Sequence, residues 1–511
     1  MKRILTNNLK ISANKFPDRN AFKQLQTEIT YADLAAKSNQ VARHLKKLGN
    51  QKGDRVGIFI NRAIESCYAL YGILMAGCVY VPIDTNLPTQ RILTLINDCS
   101  INTIISTHAF KKQIIGVLEI KSTLRHLVGI SDLDSDTISC WDWSDILTLD
   151  ESSLDINIKA DDNAYIIYTS GTTGHPKGIV HTHQSGGSYA KLSADLYQVT
   201  HTDILGNHSH LHYDISTMGY LTLPSVGGCT SIVPEAHTMF PTSLAQLISK
   251  EKITIWYSVP LALIQVMQSG AFETLDYSAL RWILYGGESF ALKHVEHLRK
   301  YLPHVEYSNV YGPAEVNQCT YYNYDKDSVL SEPIPIGSVW PETDIIIMND
   351  DKVSESGELL VASSTQMKEY WNQKERTQSS FISQPDANGE MRRYYKTGDI
   401  GSLNLDGDLV FLGRKDRQVK VRGYRVELNE VESVLLQHNE IDEVAVYALK
   451  EKDANVIYAK VKGKFDDFNE RTLKKYLSNL IPLYSIPQKI EVVQQIPRTT
   501  AGKVDYKALI K

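Results

Sequence analysis

The chain has 511 residues, 42% of them hydrophobic and 22% charged, with 30 glycines and 17 prolines; it is too long for one core at about 150 residues per unit and too apolar for a disordered polymer. Its 54 basic and 59 acidic residues leave a formal charge of -5, which gives no global field for nucleic acid or an anionic membrane, so any anion has to be bound locally. Cys67, Cys78, Cys99, Cys140, Cys229 and Cys319 are too widely spaced for a zinc knuckle or a dense disulfide framework. The basic opening breaks at Asn7 and Asn8, and no run of about 18 apolar residues follows. We therefore expect a soluble, cytoplasmic chain.

Extended apolar runs at 55 to 60 (RVGIFI), 79 to 83 (VYVPI) and 101 to 107 (INTIIST) alternate with a helical pattern carrying Leu34, Val41, Leu45 and Leu48. The same alternation resumes at 164 to 170, 254 to 259 and 281 to 287, which predicts a large body of doubly wound α/β subdomains. Ligands of such sheets gather beyond the strand ends. After about residue 415 the scale changes. A helix capped by Asn429, with Glu432 three later, precedes strands near 441 to 449 and 456 to 463 and a helix with Leu473, Tyr476, Leu477 and Leu480. The expected division is a large domain over 1–415 and a small, mobile α/β domain over 416–511, joined at the charged run GRKDRQVKVRGYR by a short hinge.

The segment from Tyr168 to Gly178, YTSGTTGHPKG, follows an apolar strand and combines three glycines, four hydroxyls and Lys177. Its chemistry is that of a phosphate cradle: glycines turn backbone N–H groups toward oxyanions, hydroxyls add donors and the lysine adds a point charge. It is not a Walker loop, because Lys177 precedes Gly178.

Further motifs follow in order: VYGPAE (310 to 315), YKTGD (395 to 399), GRKD (413 to 416), QVKVRG (418 to 423) and Gly502-Lys503. Together with ITYADL, AGCVYVPID, GELLV and LIPLYSIP they closely resemble the adenylate-forming superfamily of acyl-CoA ligases, luciferases and nonribosomal-peptide-synthetase adenylation domains, over nearly the whole chain. The resemblance implies two half-reactions. A carboxylate attacks the α-phosphorus of MgATP, giving an acyl-adenylate and pyrophosphate, and a thiol then takes the acyl group. It places Thr169, Ser170, Gly171, Thr172, Thr173 and Gly174 on phosphate beside Lys177, Asp399 and Arg414 on the ribose, Tyr311 and Phe411 against adenine, and Asn309 on its amino edge. Glu315 would bind Mg²⁺, Lys503 would stabilise charge at the α-phosphate, and Asp416 would be the hinge. One departure is Ala314, where the family usually carries Thr or Ser; the expectation is slower adenylation or a substitute donor from the loop at 169 to 173, not loss of function.

The run His208 to Asp214, read as a strand, puts His208, His210, His212 and Asp214 on one face, a possible metal site. The stronger reading comes from the resemblance: Tyr213-Asp214-Ile215-Ser216 matches the element whose aspartate pairs with the α-ammonium of amino-acid substrates. A buried carboxylate without a cation is costly, which favours an amino acid over a fatty or aryl acid. Carried over residue by residue, the remaining pocket is Ile215, Met218, Tyr257, Ile283, Tyr285, Gly286, Val310, Gln318 and Cys319, closed by Lys503. It holds no further charge, and Tyr257 and Tyr285 narrow it, so a small neutral substrate is expected: proline, alanine, serine or glycine. The pattern is similar to that of stand-alone prolyl-adenylating enzymes, which tend to carry a small residue in place of Tyr285 and an apolar one in place of Gln318.

No phosphopantetheine attachment pattern is found, since Gly186-Gly187-Ser188 lacks the flanking apolar residues. The expected thiol acceptor is therefore a separate carrier protein, with free coenzyme A the less favoured alternative. The rival readings are an acyl- or aryl-CoA ligase, which Asp214 disfavours, and a catalytically dead nucleotide-binding scaffold, which Lys177, Glu315, Asp399 and Lys503 disfavour.

Overall fold

The computed structural model describes residues 3–120, 122–133, 137–171, 176–350, 352–465, 468–498 and 504–509. The apolar runs of the first two hundred residues become the middle of an eight-stranded sheet. Its order is Glu369–Tyr370, Lys177–Thr182, Asn163–Thr169, Val79–Pro82, Arg55–Phe59, Thr103–Ser106, His126–Val128 and Ser139–Trp141. Arg55–Phe59 lies parallel to both Val79–Pro82 and Thr103–Ser106, and such strands need apolar side chains on both faces because helices cover each side. One covering helix, Tyr31–Lys47, starts where the Thr30 side chain accepts from Asp33 N–H. It packs against Glu65–Met75 at Gly72, where an added Cβ would stand 2.5 Å from Val41 Cβ.

A nine-stranded sheet forms the second layer, in the order Ser338–Val339, Thr320–Tyr324, Glu306–Tyr311, Trp282–Gly286, Ile255–Ser258, Ile204–Asn207, Cys229–Ile232, Asn20–Gln24 and Thr27–Thr30. A third, antiparallel sheet was not foreseen. Thr343–Asn349, Ser356–Ser363 and Met391–Leu403 run side by side, and Leu409–Arg414 pairs with Met391–Leu403 so that Asp399 faces Arg414 across the ladder.

The small domain opens with a hairpin, Gln418–Val421 against Tyr424–Glu427. A three-stranded sheet, Ile441–Glu451, Ala454–Gly463 and Lys489–Val492, follows, and Leu428–Leu435 and Glu470–Ser478 pack their apolar faces on it through Val431, Val446, Val461 and Leu477. The expected cap at Asn429 is corrected: the helix begins at Leu428, and its N-cap position, Glu427, makes no side-chain bond to it. Asn429 Oδ1 and both Glu432 oxygens accept from Arg417 instead, at 2.6 to 3.0 Å, which accounts for their three-residue spacing. The connector between Arg414 and Gln418 contains Asp416.

Two glycine substitutions test this packing with opposite signs. Gly72→Ala forces apart two buried helices and is expected to cost about 1–3 kcal/mol. Gly116→Ala, in the helix Lys111–Leu118, finds its nearest atom at 3.7 Å and is expected to add about 0.4–1 kcal/mol. Urea midpoints moving in the same direction for both would contradict the packing.

Candidate functional site

The C-terminal ends of both large sheets, the third sheet's Asp399 and the small domain's hairpin surround one cavity of about 740 Å³. Next to the lining residue Ala314 lies Glu315, fully buried in the turn after strand Glu306–Tyr311. Gly312 makes that turn possible, because a Cβ there would lie 2.1 Å from the Asn317 carbonyl oxygen. Glu315 Oε1 accepts from Tyr370 Oη at 2.8 Å and pairs with Lys177 Nζ at 3.0 Å, while Oε2 pairs with Arg425 Nη1 at 2.8 Å. The Arg425 and Lys177 charges hold the Glu315 carboxyl well below its usual range despite burial. Lys177, only 3% exposed, is pulled down to about 8, chiefly by burial.

This geometry revises the expectation of a metal on Glu315. Both oxygens are committed, one of them to an arginine of the small domain, so a divalent cation does not fit there while the hairpin is docked.

At one end of the cavity, Tyr311 Oη donates to Asp399 Oδ2 at 2.6 Å and Arg414 donates to Oδ1. Arg414 also grips both oxygens of Asp416, at 2.7 and 2.8 Å, which links Asp399 to the connector. Asn309 Nδ2 donates to the Pro335 carbonyl at 2.7 Å, leaving the amide oxygen as its acceptor, and Phe411 and Ile336 line the same wall. Thr169, Ser170 and Ala314 also line the cavity. Ser170 Oγ donates to Arg425 O at 2.8 Å, whereas the buried Thr169 Oγ1 has no partner among the described residues. Thr172, Thr173, Gly174 and Lys503 lie outside the described residues.

At the other end, the segment from His208 is not a strand, so the alternation that would gather its histidines fails. The strand stops at Asn207, and Asp214–Ser216 forms one 3₁₀ turn. His208 packs on Trp256, His210 stacks on His212, and His210 Nδ1 meets Asn61 Oδ1 at 2.7 Å. Among the described residues no group of three or more ligating side chains gathers around a metal-sized space. Asp214 lines the cavity, its Oδ1 accepting from Ile215 N–H at 2.9 Å. Burial pushes the Asp214 carboxyl up, and the Lys420 charge across the cavity pulls it partly back.

Ile215, Tyr257, Val310 and Gln318 line this end. Ile283 and Tyr285 do not: both point to the opposite face of strand Trp282–Gly286, into the core with Trp256 and Phe290, where Tyr285 Oη accepts from Tyr324 Oη at 2.9 Å. The narrowing expected from Tyr285 is therefore absent. Leu284, one residue along, packs on the side of Tyr257 and Val310. Met218 is buried behind Ile215, Cys319 packs with Ile179 and Val361, and Gly286 presses on the Val310 backbone, where a Cβ would lie 2.4 Å from the carbonyl oxygen.

The small domain supplies residues that the sequence reading left without a role. Gly423 N–H donates to Glu288 Oε1 at 2.6 Å at the hairpin tip, where a Cβ would strike Val259 at 2.7 Å. Lys420 reaches into the cavity toward Asp214, Asp399 and Glu288. Around it, Tyr424 stacks on Tyr484 at 4.1 Å, Arg91 pairs with Glu430, and His294 meets Asp453 at 2.9 Å. The density of basic residues in QVKVRGYR was the available signal for these contacts. Arg498 and Val504, which flank the undescribed stretch containing position 503, form an isolated bridge away from the cavity lining, and Val504 packs beside Ala445 and Tyr447.

Comparisons agree with this architecture. The model of the AMP-binding enzyme family matches residues 9–371, and that of the AMP-binding enzyme C-terminal domain matches residues 430–503. The chain is 30% identical to an L-proline--[L-prolyl-carrier protein] ligase of Pseudomonas fluorescens over 100% of this chain and 99% of that one. It is also 30% identical to the protein of the same name from Streptomyces coelicolor, over 94% and 91%. Among solved structures, the Vibrio cholerae adenylation domain AlmE in complex with glycyl-adenosine-5'-phosphate superposes with a TM-score of 0.85 at 23% identity, covering 98% of this chain and 96% of that one. With its body of large sheets, small C-terminal domain and shared cavity, the chain belongs to the AMP-binding enzyme family.

Proposed function

We propose that the protein activates a small neutral amino acid with ATP, releasing pyrophosphate, and passes the aminoacyl group to the phosphopantetheine thiol of a separate carrier protein. The observation that carries this reading is Asp214, a carboxylate in the wall of the cavity that also contains Asp399 and Arg414. An acid without an amine would leave Asp214 facing apolar substrate, whereas an α-ammonium pairs with it. The two proline ligases, similar over almost their whole lengths, support an amino-acid substrate and a carrier partner.

In this reading Asp399 accepts from the ribose hydroxyls, Arg414 orients it, and the Asn309 amide oxygen accepts from the adenine amino group. An amino-acid carboxylate oxygen attacks the α-phosphorus as the bond to the pyrophosphate oxygen breaks. Lys177 and the hydroxyls of the loop offset the phosphate charge, and Thr169 Oγ1, without a partner among the described residues, supplies the donor that Ala314 lacks. The hairpin with Lys420 and Arg425 faces the cavity here, and in this reading a turn of the small domain about the connector at Asp416 brings Lys503 to the α-phosphate. The docked hairpin belongs to the second step, in which the carrier's sulfur attacks the acyl carbon and AMP leaves.

ATP–pyrophosphate exchange tests the first step. Exchange is expected with small amino acids and not with fatty or aryl acids. Asp214→Asn should lower kcat/KM for the amino acid about 10²- to 10³-fold, and Lys503→Ala should lower the exchange rate about 10²- to 10³-fold. Exchange supported equally by a fatty acid, or unchanged in either variant, contradicts the reading. Because burial raises the Asp214 pKa, the carboxylate needed for ammonium binding is present above that raised value and lost below it. KM for the amino acid should therefore rise on acidification, and Asp214→Asn should flatten that limb of the profile.

Arg425→Gln should weaken hairpin docking by removing a charge partner of Glu315. Trypsin, for which Lys415 and Arg417 in the connector are sites, should cut the variant faster than the wild type. Equal cleavage rates would show that the pair does not hold the domains together.

A further inference from the structure

Resting on the amino-acid reading, we infer that the substrate's side chain carries a hydroxyl, and that Gln318 and Tyr257 select it; of the four candidate amino acids this names serine. Gln318 sits in the turn between Glu306–Tyr311 and Thr320–Tyr324, and Tyr257 in the strand Ile255–Ser258. Both line the cavity beside Asp214, Ile215 and Val310. Gln318 is 2% exposed, and its Nε2 donates to Tyr257 Oη at 3.2 Å. Its Oε1 is buried with no donor among the described residues. With the Tyr257 oxygen accepting from Gln318, no described residue accepts the tyrosine proton. The amino-acid end of the cavity thus contains an unmatched acceptor and an unmatched donor bonded to each other's residues.

A primary hydroxyl answers both. It can donate to the free amide oxygen and accept from the free tyrosine proton. The argument survives a turn of the Gln318 amide: if Nε2 were the free end, the same hydroxyl would accept from it. Alanine, proline and glycine offer nothing to this pair. Their binding would leave the buried amide oxygen unpaired, and such sites discriminate strongly against the analogue that lacks the polar group. Ile215 and Val310 supply apolar walls but no competing polar partner at the amide.

The test is ATP–pyrophosphate exchange with serine, alanine, glycine and proline, run on the wild type, Gln318→Leu and Tyr257→Phe. It is paired with calorimetric binding of seryl- and alanyl-sulfamoyl adenosine, non-reactive mimics of the two adenylates. The wild type should favour serine over alanine by about 5- to 150-fold in kcat/KM, which is 1–3 kcal/mol at 1.4 kcal/mol per tenfold. Gln318→Leu should bring that ratio close to one, Tyr257→Phe should lower it, and the two mimics should lose their affinity difference in step. A wild type that prefers alanine, glycine or proline overturns the inference while leaving the amino-acid reading intact, and so does a serine preference that persists in both variants. Exchange with a fatty or aryl acid and none of the four amino acids overturns both. Should Gln318→Leu fail to fold, Tyr257→Phe and the wild-type ratio still decide.

Discussion

A fully buried glutamate cannot stand alone, and the arrangement of this protein follows from how Glu315 is satisfied. Lys177 arrives on the strand after the phosphate loop, Tyr370 on an edge strand of the same sheet, and Arg425 on the hairpin of the small domain. One carboxylate therefore fixes the loop, the turn after Tyr311 and the position of the small domain together. Removing one partner of such a cluster is expensive because it strands charge out of water. Because Arg425 stands on the hairpin and Glu315 in the large body, the pair ties the position of one to that of the other.

Asp214 poses a related problem at the other end of the cavity. While the hairpin is docked, the Lys420 ammonium faces it and Asp399, so neither carboxylate lacks a positive neighbour. Burial drives Asp214 and Lys420 toward their neutral forms, and each one's charge opposes that for the other. Under the proposed function, an amino-acid ammonium would take over from Lys420 as the partner of Asp214. In the proposed function this is the electrostatic ground for an amine at Asp214.

Much of this was legible in the sequence where chemistry and spacing coincide. The parallel strands announced themselves as short apolar runs, and the loop from Tyr168 to Gly178 as glycines, hydroxyls and a lysine after one of them. The face of strand Trp282–Gly286 was not legible, because all five residues are buried and period-two alternation vanishes when both sides are core. The resemblance put Ile283 and Tyr285 in the pocket, and no alternation was present to show that Leu284 packs on that side instead. The antiparallel third sheet escaped because its strands are half-exposed and interrupted by turns. The spacing of Asn429 and Glu432 mimicked a capping box but serves Arg417, a long-range contact no local pattern encodes. Arg425 and Lys420 were visible as charges without a direction until the hairpin's docking gave them one.

The central claim is that Asp214 binds the α-ammonium of the substrate. Calorimetry in the presence of AMP, comparing alanine with propionate, isolates that interaction because the two acids differ chiefly by the amine. The wild type should bind alanine at least about 10²-fold more tightly, and Asp214→Asn should abolish the difference. Equal affinities in the wild type, or a preference for alanine that survives in Asp214→Asn, would contradict the account.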